Sequence, residues 1–104
     1  MTYAVATTAL VHDDLMSFID VDGVSPECIE QFIRAYEQEL AANADRLYAI
    51  GRADSPAYCF RVEYPVPDGN VQRLFRLVVS MESAGAGIVR VVYVEQETIG
   101  EPRQ

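Results

Sequence analysis

Two hydrophobic periods divide this chain, and the switch between them limits what it can fold into. From residue 25 to 51 the apolar positions recur every three or four residues; from 58 to 97 they alternate. Ser25-Pro26-Glu27 supplies an N-cap, a proline at the first helical position and an early acid. Ile29, Phe32, Ile33, Tyr36, Leu40, Ala44 and Leu47 then share a stripe about 120° wide on a helical wheel. Glu27, Glu30, Glu37 and Asp45 lie on one flank of it, with Arg34 four residues after Glu30. Gly51 is a natural stop. The pattern predicts an amphipathic helix of about five to six turns.

Past Gly51, Tyr58, Phe60, Val62, Tyr64 and Val66 alternate with Cys59, Arg61 and Glu63, as a half-buried strand requires. Pro65 and Pro67 put the tail of this strand at a sheet edge or in a loop. Pro67-Asp68-Gly69-Asn70 is turn chemistry, so Val71 to Glu82 is a second strand. Ser83 to Gly87 is a connection, Ile88 to Glu97 a third strand, and the tail from Gly100 should fray. Ahead of the long helix, Val11, Leu15, Phe18 and Ile19 have helical spacing, with Asp13 and Asp14 suited to a first turn. Asp20-Val21-Asp22-Gly23 ends that helix. Tyr3 to Leu10 reads either as a short strand or as an extended lead-in. The order is (β)-α-α-β-β-β: an α+β fold, two helices packed on an antiparallel sheet of three to four strands. With 104 residues the chain makes one domain with one continuous core.

The strands carry more apolar surface than one helical layer covers. The second strand offers Phe75, Leu77, Val79 and Met81 on one face and Leu74, Arg76, Val78 and Ser80 on the other. Strict alternation in the third strand puts Val89, Val91 and Tyr93 on one face and Ile88, Arg90, Val92 and Val94 on the other. A sheet wetted on one side reads apolar-in and polar-out, and these strands do not. Leu74, Arg76, Val78, Arg90, Val92 and Val94 are therefore expected to form a contact surface, unless the N-terminal strand or helix wraps over it. Arg76 and Arg90 alternatively pair with Glu63 or Glu82, each pair worth little.

Sixteen acids face eight arginines, with no lysine, for a net charge of −8. Residues 1–60 hold ten of the acids and three of the arginines; residues 61–104 are nearly balanced. Such a chain repels nucleic acid as a whole. Its acidic helical half is either a solubilising surface or a lure that speeds capture of a basic protein.

Catalytic signatures are missing. His12 is followed by Asp13 and Asp14, but consecutive helical residues do not face each other, so a solvated histidine is expected. Counted from Asp20, a calcium loop needs an oxygen ligand, Gly and Glu where Val24, Ser25 and Gln31 stand. Gly85-Ala86-Gly87 lies between strands, so it is no phosphate cradle. Cys28 and Cys59 form no CxxC pair and read as free, partly buried thiols, although a single disulfide also fits the count. Tyr36 and Tyr58 are expected in the core with wet hydroxyls. The first residues lack the charged and aliphatic regions of a signal peptide, and no apolar run reaches 18 residues. A cytoplasmic, non-enzymatic protein without metal or cofactor is expected.

The element order is similar to that of the RelE/ParE group of toxin ribonucleases, in which helices follow a first strand and a three-stranded meander ends the fold. That resemblance implies RNA cleavage by clustered basic residues, for which Arg61, Arg73, Arg76 and Arg90 are the candidates. The residues themselves point first to a binder that inhibits or neutralises another protein, of immunity, antitoxin or phage anti-defence type, and that dimerises through its sheet. A homodimeric scaffold or small-ligand-binding domain is the third reading.

Overall fold

A computed structural model describes residues 3–51, 59–81 and 87–100. Strand β1 (Ala4–Thr7) is followed by helices α1 (Ala9–Asp20) and α2 (Pro26–Gly51), then by strands β2 (Cys59–Asp68), β3 (Val71–Met81) and β4 (Ile88–Thr98). The sheet order is β1-β4-β3-β2. The α+β fold and its element order agree with the sequence pattern. The sheet is mixed, however, because β1 pairs with β4 in parallel, Ala4 opposite Ile88. Tyr3 to Leu10 is thus part strand and part helix start.

Helix α1 begins two residues earlier than its apolar spacing indicates. Thr8 is the N-cap, its hydroxyl accepting from the Val11 backbone N–H at 3.4 Å. Asp13 and Asp14 therefore fall outside the first turn, where no acid stands. Helix α2 starts as expected, Ser25 Oγ accepting from the Cys28 N–H at 3.1 Å. Its 26 residues make about seven turns, more than the stripe suggested. It is kinked at Asn43, whose φ of −130° and ψ of 18° are non-helical. Beside the kink the Ala41 carbonyl accepts a 2.9 Å bond from the Tyr3 N–H, so the lead-in to β1 enters the helix ladder there.

Both helices pack on one face of the sheet. Phe32 of α2 stacks on Phe75 of β3, ring centroids 4.1 Å apart and 12° between planes; Phe18 of α1 approaches the same ring at 6.4 Å. Val11, Leu15, Phe32, Tyr36 and Leu40 complete a core with Phe60, Leu77, Val79, Val89 and Val91. Strand β1 extends the sheet sideways and α1 lies on this inner face, so neither wraps the outer one. Pro65 and Pro67 are accommodated because β2 is an edge strand, paired through Asp68. Tyr58, Glu82, the connection 83–86 and the tail 101–104 lie outside the described residues.

The register slips once. Val78 pairs with Tyr93 but Val79 pairs with Val91, which leaves Val92 as a β-bulge. Past the bulge the alternation in β4 changes phase. Val94, expected on the outer face, is 3% exposed and belongs to the core. Tyr93, expected inside, is 47% exposed on the outer face.

Candidate interaction surfaces

Strand pairing assembles the outer face residue by residue. Arg61 stands beside Val78 and Tyr93, Glu63 beside Arg76 and Glu95, and Leu74 beside Glu97. Arg76 is the centre: Nε meets Glu63 Oε2 at 3.1 Å and Nη1 meets Glu97 Oε1 at 2.5 Å. Hydrogen bonds from Arg76 to Glu97 and then to Glu63 push the guanidinium pKa further up. Glu63 is the expected partner, whereas Glu97 is an addition made accessible by the bulge. A depression of about 350 Å³ opens there, lined by Arg61, Glu63, Arg76, Val78, Tyr93 and Glu95.

Of the sheet residues picked from sequence, Leu74, Arg76, Val78 and Arg90 share this face and are half-buried by their neighbours. Val92 is half-buried at the bulge. Val94 does not belong. Tyr93 was hidden by the assumption of unbroken alternation, yet a signal existed. Unbroken alternation would also have turned Glu95 and Glu97 into the core together with Val89 and Val91, which burial of charge forbids.

The second surface lies on α2. Glu27, Glu30 and Glu37 are exposed along one flank, with Arg34 Nη2 3.9 Å from Glu30 Oε1. Glu30 and Glu37, with Arg34 between them, line a groove of about 430 Å³ to which Pro26, Ile29 and Ile33 contribute apolar wall. Asp45 is exposed on the same flank but accepts the hydroxyl hydrogen bond of Tyr3, so it serves the fold.

Arg73 takes no part in either surface. On the inner side of the sheet end, its Nε meets Asp68 Oδ2 at 2.9 Å, Nη1 donates to Thr98 Oγ1 at 2.7 Å and Nη2 to the Gly23 carbonyl at 3.2 Å. Asp68 also accepts from the Ser25 backbone N–H at 3.3 Å. Burial alone would raise the pKa of Asp68, but hydrogen bonds from Ser25 and Arg73 outweigh it and hold the carboxyl below its ordinary value. This clasp ties the turn between the helices to the β2–β3 hairpin. Of the four arginines that the ribonuclease resemblance needs, Arg61, Arg76 and Arg90 share the outer face, but Arg73 is clasped on the inner side and Arg76 is engaged by two glutamates.

The remaining candidates are structural. His12 is exposed on α1. Cys28 and Cys59 are free and buried, and burial, chiefly, pushes the Cys28 thiol up to about 11. Tyr36 is a core residue whose hydroxyl shares a 2.6 Å hydrogen bond with Thr7 Oγ1. Tyr64 donates to Glu39 Oε1 at 2.6 Å, and burial with that carboxylate raises its phenol pKa. Among the described residues no three metal-ligating side chains cluster, and no helix is long and apolar enough to cross a membrane.

Comparisons with family models, curated proteins and solved structures found no significant match to this chain.

Proposed function

We propose that this chain is a small acidic protein-binding protein, without chemistry of its own, that captures and neutralises a basic partner protein. The observation that carries this reading is the flank of α2. Glu30 and Glu37 stand exposed on a groove whose walls include Pro26, Ile29 and Ile33, with Glu27 exposed one turn before it, so long-range attraction and apolar contact are offered at one place. Carboxylates at this density steer a positively charged surface towards them, and the apolar wall holds it once the rim is desolvated. Inhibition follows from occupancy: a partner whose basic working surface is covered cannot reach an anionic substrate. Immunity proteins, antitoxins and anti-defence proteins would all act in this manner. The outer face of the sheet is a second contact surface, but its mixed charges give a basic partner little to be drawn by.

The test is capture from a lysate of the native host on the immobilised protein, followed by association kinetics with each protein retained. A basic protein is expected, binding about tenfold more slowly to the double variant Glu30→Arg/Glu37→Arg and more slowly still as salt rises. Retained proteins whose association ignores both changes would overturn the reading.

A further inference from the structure

We propose that the outer face of the sheet binds a second copy of this chain, with Tyr93 as the anchor of the contact. The inference rests on reading that face as a contact surface and is independent of the capture of a basic partner by α2.

Charge selects the occupant. Arg61, Arg76 and Arg90 are matched on this face by Glu63, Glu95 and Glu97, whereas the whole chain stands at −8. Two copies therefore repel wherever acidic helical surface meets acidic helical surface. They meet without that penalty where the signs cancel. A face on which both signs interleave is also self-complementary: a two-fold rotation lays the arginines of one copy against glutamates of the other. Leu74 and Val78, half-buried between these charges, supply apolar contact.

The bulge selects the anchor. By taking one extra residue at Val92, β4 turns Tyr93 out of the core and Val94 into it. Bulges commonly re-aim a side chain in this manner, and tyrosine concentrates binding energy when its ring enters a pocket. Tyr93 stands 47% exposed on the rim of the 350 Å³ depression, the only described outer-face aromatic beside a hollow that can take the same ring from an opposite copy.

Size sets the strength. Three strands of this length present roughly 35 by 15 Å, so two faces bury on the order of 1,000 Å² together, the small end of specific interfaces. A dimer of micromolar rather than nanomolar affinity is expected.

Sedimentation equilibrium of the full chain tests this, from roughly 5 to 500 µM and at roughly 20 and 300 mM salt. A dimer is expected that tightens as salt rises, because screening removes the repulsion between the acidic remainders of two copies. Tyr93→Ser and Val78→Asp should each weaken it about tenfold or more while circular dichroism and the melting curve stay those of the folded monomer. If Val78→Asp unfolds the chain, Tyr93→Ser alone decides. A monomer across the whole range, or a dimer that Tyr93→Ser leaves intact, overturns the proposal. Capture of a basic partner weakens with salt, so the two readings fail separately.

Discussion

The inner and outer faces of one sheet are built from the same strands, often from adjacent residues, yet they end in different conditions. Phe75, Leu77 and Val79 are closed off by α1 and α2, while Leu74, Arg76 and Val78 alternate with them under no helix. Hydrophobic content alone does not separate the two, since both faces carry aliphatic side chains. What separates them is charge: arginine and glutamate occur among the outer aliphatics, and on the inner face Arg73 appears only at the sheet end, fully engaged. A face destined for permanent burial excludes ions; a face that must also meet water tolerates them in pairs.

The sharpest way to break this contrast is Phe75→Ala, which removes the ring that both helices lean on. A loss of about 3–5 kcal/mol is expected by chemical denaturation, against a whole-domain stability of about 5–15 kcal/mol. Deleting Val92 attacks the boundary between the faces. It removes the extra residue and leaves Val79 opposite Val91 and Val78 opposite Tyr93, so Tyr93 stays outward, Val94 stays inward, and stability is expected to stay within about 1 kcal/mol of wild type. A core-sized loss, about 3 kcal/mol or more by chemical denaturation, would show that the bulge itself is needed to hold the two faces apart. Arg73→Ala should cost about 2 kcal/mol by leaving Asp68 without its cation. The sign with pH follows from the direction of the Asp68 shift. Its folded pKa is depressed, so its contribution is present above the ordinary carboxylate value and is lost as pH falls through the folded value. Arg73→Ala should therefore flatten the acid limb of the stability–pH curve, measured by melting from neutral to acid pH. Val78→Ser, on the outer face, should change monomer stability by less than about 1 kcal/mol in dilute solution. A core-sized loss there would mean that the face is covered after all.

The long helix and the meander were legible because their cues are local: Ser25-Pro26 opens α2, and Gly69-Asn70 turns β2 into β3. The acidic flank was legible for the same reason, as spacing alone puts Glu27, Glu30 and Glu37 together. What escaped was either non-local or a break of period. Parallel pairing of β1 depends on Ile88 and its neighbours, more than 80 residues away, and nothing in Tyr3 to Leu10 names them. The Arg73 clasp draws on Gly23, Asp68 and Thr98, which no spacing rule connects. The phase change at Val92 turned one site residue inward and revealed another, although the two glutamates after it should have warned that alternation had slipped.

The parallel pairing of β1 has a consequence for how the chain comes into being. β1 has as its sheet neighbour a strand more than 80 residues further along, so Ala4 to Thr7 must wait, unpaired along that edge, until residues 88 to 91 have emerged. Helices and the β2–β3 hairpin can assemble from near neighbours, but the seam between β1 and β4 closes a longer loop and so at a larger entropic cost. A change that weakens the pairing of Ala4 to Thr7 with residues 88 to 91 would therefore be felt late in folding, after the helices and the hairpin have formed.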